Sequence, residues 1–420
     1  MLMLNGREPE PALTLEQFYD IATEGRSADI DAALARFPAS ARLRNPVAIG
    51  LRAMKSITGG DLPGGIALLK RGAAHCHGRV RDYLLDLLIP LLTGSQDLAA
   101  AEEALAGAGE QAPELAPAFA ALRAVAAARQ GSDAASVRFA REALEGGRGL
   151  DNPVIVGRVL QRTALAAFYR EDFEEAQDRA LEAARWFERF ELHRHAAGTY
   201  SILYVIANDW TGDPDVARYY ARRMTMSAHL AHDRALENWG LLAQFEIAAD
   251  AGDLRRMRSL RGRLLANPLN EQYFRERFNY VVAEVLASGW SGRFDAARVA
   301  LTSLHHSERL SLSERALCDA LLAIVALASW HTDLARRLAR RTISQTVEHP
   351  GKEPLVETRR RRVARVLGAA VCIVLGDTVR GRRALSRAVD PDQRFASLVT
   401  SAGIDEERMP LLMRGYAKFL

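Results

Sequence analysis

The sequence predicts an all-α protein, a right-handed α-solenoid of about ten helix-turn-helix repeats. Three observations predict it. The 420 residues are 49% hydrophobic but only 7% aromatic, rich in Ala and Leu and short of β-branched runs, a composition that favours helix over strand. A short turn pattern recurs at even intervals along the chain. After each turn, apolar residues follow at helical spacing.

The turn is a Gly-Asp pair or a close variant, then an apolar residue, then Ala two or three places on. Upstream copies lie at 25–33, Gly60-Asp61-Leu62, 94–101 and 131–135. The clearest is Glu171-Asp172-Phe173-Glu174-Glu175-Ala176. Thr211-Gly212-Asp213-Pro214-Asp215-Val216-Ala217, Ala251-Gly252-Asp253-Leu254, Ser291-Gly292-Arg293-Phe294-Asp295-Ala296-Ala297, Thr332-Asp333-Leu334-Ala335 and Gly376-Asp377-Thr378-Val379 complete the series. The apolar markers are Ile30, Leu62, Leu98, Ala135, Phe173, Val216, Leu254, Phe294, Leu334 and Val379, with steps of 32 to 45 residues.

Each part of the turn has a physical task. Gly adopts the left-handed conformation that ends one helix. Asp or a neighbouring Ser/Thr accepts the free amides that open the next. Small Ala lets paired helices approach closely. From Phe173, the residues Ala176, Ala180, Ala184 and Phe187 share one face of a predicted helix. The preceding helix, 154–169, carries Val159, Leu160, Thr163, Ala164 and Ala167 in the same manner. No such pair buries its apolar face alone, so neighbours must stack. Two loops, 145–153 and 349–354, are expected as bends, giving N-terminal repeats over 1–148, further repeats over 149–390 and capping helices over 391–420.

Gly-Arg-Phe-Asp-Ala-Ala at 292–297 and Asp-Phe-Glu-Glu-Ala at 172–176 resemble the inter-helix turn of the tetratricopeptide-repeat family. The resemblance covers about 29–389, with a step longer than that family's 34 residues. The longer step is similar to the MalT-like helical-repeat region of large LuxR-type bacterial regulators. Residues 384–388, 394–395, 402–403 and 411–412 resemble the segment that follows those repeats. The resemblance implies a regulatory role in bacterial transcription or signalling. The sequence has no Gly-x4-Gly-Lys-Ser/Thr phosphate loop, and nothing after Leu412 is long enough for a helix-turn-helix. The chain is therefore expected either to stand alone or to be one part of a divided regulator.

Cys76, Cys318 and Cys372 are odd in number and far apart, which fits buried thiols in a reducing cytoplasm. No signal peptide or membrane span is expected: the apolar stretches 320–330 and 363–375 fall short of the roughly 20 residues a bilayer needs. His75 and His77, two apart on a helix, point away from each other and do not converge on an ion. His229 and His232 with His193 and His195 lack a carboxylate or thiol companion, so neither metal nor cofactor is expected. No nucleophile elbow or paired-carboxylate motif stands out, and the expectation is a non-catalytic protein. An enzyme with a site between stacked helices is the weakest alternative.

Two surfaces are candidates for binding. The first helix of each pair should line a concave groove, offering Arg158, Gln161, Phe168, Thr199, Asp209, Trp239, Glu246 and Asn279 to a protein or peptide partner. The C-terminal stretch 331–420 carries 18 basic and 10 acidic side chains, whereas 1–330 carry 38 and 42. Arg336, Arg337, Arg340, Arg341, Arg359, Arg360, Arg361, Arg362, Arg365, Arg382 and Arg383 would form a basic stripe for nucleic acid, an acidic protein or a phosphate-bearing ligand, or else a solvated capping face. A membrane partner is not expected, and a homodimer is compatible with the sequence.

Overall fold

The computed structural model describes residues 13–388 except 60, 95–96, 109–111, 267–277, 279, 283, 286–287, 289–290, 308–309 and 347–354. Among the described residues every regular element is a helix. In order they are α1 (Leu15–Glu24), α2 (Ser27–Ala35), α3 (Pro46–Thr58), α4 (Leu62–Ala74), α5 (Gly78–Gly94), α6 (Leu98–Ala106), α7 (Ala116–Arg129), α8 (Asp133–Gly147), α9 (Pro153–Tyr169) and α10 (Phe173–Arg189). There follow α11 (His193–Ile206), α12 (Pro214–Leu230), α13 (Arg234–Asp250), α14 (Leu254–Ala266), α15 (Phe294–His305), α16 (Leu312–Ala328), α17 (Thr332–Gln345), α18 (Leu355–Val374) and α19 (Thr378–Ala388). The capping helices expected over 391–420 lie outside the described residues.

The recurring markers fall at or near the start of second helices. Leu62, Leu98, Phe173, Leu254 and Phe294 are first residues of α4, α6, α10, α14 and α15. Three of the aspartates in these turns cap as their chemistry requires. Asp61, Asp172 and Asp253 each accept the amide three residues on, at 3.0, 3.2 and 3.0 Å. The residue ending the preceding helix is left-handed: Gly131, Gly212, Gly252, Gly292 and Gly376 have φ between 64° and 84°. Glu171 and Trp330 take the same conformation without being glycine, at φ 65° and 63°.

The chain forms two compact units, residues 1–209 with 215–240, and residues 210–214 with 241–420. In the first unit α3 packs on α4 and α5, α7 on α8 and α9, and α9 on α10 and α11. The 145–153 segment thus joins α8 to α9 inside one unit. One apolar core runs from Leu13 and Phe18 through Leu84 and Phe119 to Val159. Ala176, Ala180 and Ala183 of α10 are fully buried, and a methyl group on Gly157 of α9 would meet the Phe187 ring at 2.2 Å, so these two helices are in close contact. In the second unit α16 packs on α15, α17 and α18, and α18 on α19, around a core from Phe278 to Cys372. All three cysteines are free and buried, and burial pushes the Cys318 thiol up to about 12.

The turns yield a paired test. An added methyl at Gly292 meets nothing within 4 Å, so Gly292→Ala should cost only the left-handed conformation, about 1 kcal/mol. Trp330 is 76% exposed, and Trp330→Gly relieves the same conformation, for a gain of about 0.5–1 kcal/mol. Urea unfolding should move the two midpoints in opposite directions.

Candidate functional site

The first unit departs from strictly neighbour-to-neighbour stacking at one helix. α1 packs on α3, α5 and α11 and reaches α9 through Tyr19, so it lies against the face that these first helices share. Its inward residues Phe18, Tyr19 and Ala22 are fully buried. Opposite them, α5 supplies Asp86. Arg158 and Arg162 come from α9, where a spacing of four residues puts both on one face of the helix.

These side chains meet in a buried polar hub. The Tyr19 hydroxyl donates to Asp86 Oδ2 at 2.5 Å, and Arg158 Nη1 donates to the Tyr19 oxygen at 2.6 Å. Arg158 pairs with Asp86 Oδ2 at 2.8 Å and Arg162 with Oδ1 at 2.6 Å. Both guanidiniums also donate to the Asp86 carbonyl, at 3.0 and 3.3 Å. Burial alone would raise the Asp86 carboxyl, but Arg158 and Arg162 outweigh it and hold the group at about 2. Burial likewise pushes the Tyr19 phenol up, and burial with Arg158 beside it lowers Arg162. A carboxylate so acidic, with both oxygens engaged, is a poor general base. The hub is built to hold helices together.

The C-terminal end of α1 makes a second long-range tie. α11 has no side-chain cap of its own at Leu192, and the buried Glu24 carboxyl lies near its first residues, with Oε1 making no hydrogen bond among the described residues. Arg194 donates to the Thr23 carbonyl at 3.0 Å and pairs with Asp233 at 2.9 Å. Burial raises Glu24 to about 7 against the pull of Arg194 and Arg26. His195 is held well below its usual range by burial and by Arg158, Arg194 and Arg162, and its ring stacks on Phe187 at 5.0 Å.

The residues expected in a groove fare differently. Arg158 and Thr199 are buried and do not line an open surface: Arg158 bonds Tyr19 of α1, and Thr199 bonds Gln161 and the His195 carbonyl. Gln161 is half-buried and donates to Thr199 Oγ1 at 3.0 Å, tying α9 to α11. Phe168 packs edge-on against Tyr169 and Phe173. Trp239 and Glu246 are half-buried on α13. Asn279 and the Asp209 side chain lie outside the described residues.

The basic stripe is also redistributed. Arg365 is buried and donates to Thr346, so it leaves the surface, and Arg361 is half-buried. Arg341 pairs with the fully buried Asp319, which His305 also meets at 3.1 Å. Arg340 pairs with Asp377 at 2.9 Å, and Arg336 with Asp333 at 3.4 Å. Arg337, Arg382 and Arg383 are exposed. Arg359, Arg360 and Arg362 belong to α18, but their side chains lie outside the described residues. The stripe expected from the sequence leaves out α14, which carries five arginines and no acidic residue.

Among the described residues no three His, Cys, Asp or Glu side chains converge as a metal site, and no helix is long and apolar enough to cross a membrane. No family model and no curated protein matches the sequence.

Glu24 sets a pH dependence. A carboxyl raised in the folded state favours folding while protonated, so its contribution falls as pH rises from about 4.5 to 7 and is level above that. Glu24→Gln should abolish this decline and leave the variant on the order of 2 kcal/mol more stable than the parent at pH 8, with little difference near pH 4.5. Urea unfolding at the two pH values checks it.

Proposed function

We propose that the chain is a non-catalytic scaffold of TPR-like helix pairs that binds a protein partner. The observation that carries this reading is an exposed apolar stripe on α12. Val216, Tyr219, Met226 and Leu230 are 38–55% exposed and fall within about 80° of one another around the helix. Arg223 falls on the same face between Tyr219 and Met226, and exposed apolar side chains gathered on one helix face favour a protein contact. Arg222 is exposed beside these residues, while Arg218 and Arg223 pair with Asp215 and Glu188, so the face suits a partner helix that is mainly apolar with an acidic residue at its edge. The partner surface in this reading is the exposed face of α12 rather than the groove expected from the sequence, since Arg158 is buried against Tyr19 of α1. The likeness of the repeat step to that of the MalT-like helical-repeat region supports a place in bacterial transcription regulation or signalling.

Tyr219→Glu with Met226→Glu should leave helix content unchanged and remove the partner captured by the parent chain from host lysate. Trp239→Ala should retain that partner. Equal capture by the parent and the double variant contradicts the reading.

A further inference from the structure

The second helices of the two units differ sharply in charge. In the first unit α2, α4, α6, α8, α10 and α12 carry ten basic against thirteen acidic residues. In the second, α14, α15, α17 and α19 carry fourteen arginines against two acidic residues, Asp295 and Asp333. A proteome-wide preference for arginine over lysine acts on both units alike and does not produce this contrast.

The geometry gathers part of this charge. Arg340 of α17 and Arg380 of α19 both pair with Asp377, at 2.9 and 3.6 Å, and Arg336 of α17 donates to the Leu375 carbonyl at 3.4 Å. The guanidiniums of two successive second helices therefore adjoin. On the same two helices Arg337, Arg382 and Arg383 are exposed, and their guanidiniums make no hydrogen bond or ion pair among the described residues.

We infer that the outer face of α17 and α19 binds the phosphodiester backbone of a nucleic acid. Guanidinium forks match phosphate oxygens in pairs. Neither helix exposes an aromatic side chain, the exposed Trp330 standing in the turn ahead of α17. The large apolar residues that the two helices do expose, Leu334 and Val379, lie near the helix starts. The face thus lacks the apolar centre of a protein interface and the insertion residues of a membrane-binding helix. With no group placed to read base edges, binding is independent of sequence. This site is separate from the α12 stripe, and either can fail without the other.

The test is binding of the full chain to mixed-sequence duplex DNA and duplex RNA across a salt series, compared with vesicles of mixed phosphatidylserine and phosphatidylcholine. Arg337→Ala, Arg382→Ala and Arg383→Ala together should weaken binding at least about tenfold near physiological salt and flatten the log–log salt slope by about 3. Arg138→Ala, Arg141→Ala and Arg148→Ala in the first unit remove the same charge and should change neither. Circular dichroism should be the same for the parent and both triple variants. Absence of binding to both duplexes, equal loss in the two triple variants, or binding to vesicles in preference to the duplexes overturns the proposal.

Discussion

A pair of short antiparallel helices cannot bury its apolar surface by itself, and this constraint governs the molecule. The left-handed turn residue and the aspartate cap fix the pair, and the small residues along α10 let it close on α9. The outward apolar face then has no cover except the next pair. Continuous cores through residues 13–159 and 278–372 are the result.

The first unit adds a constraint of a different kind. Asp86 is fully buried between two guanidiniums and a phenol, brought to it by α9 and α1. Such an assembly gains little net stability over an apolar one of the same shape, but losing one member strands a buried charge at a cost of about 3–5 kcal/mol. Its effect is to specify where α1 sits. Arg194 of α11, donating to the Thr23 carbonyl, ties down the other end of the same helix.

Helix positions were legible in the sequence because they depend on local chemistry. Asp61, Asp172 and Asp253 cap the amides three residues ahead, a relation readable without any fold. The place of α1 was not legible, since Tyr19 meets Arg158 across 139 residues and no periodicity encodes that contact. Arg158 does lie on the shared face of the first helices, yet that face is covered. Glu171 and Trp330 take a conformation that sequence alone assigns to glycine. The basic surface was half visible: Arg337, Arg382 and Arg383 are exposed, while Arg365 turns inward and the arginines of α14 fall outside the stripe expected from the sequence.

Hydrogen exchange of Arg158→Met tests most directly whether the hub holds α1 in place. Protection should be lost in α1 and at the start of α11, with α16 in the second unit unchanged. Unaltered exchange in α1, or loss of protection spread evenly over both units, would contradict it.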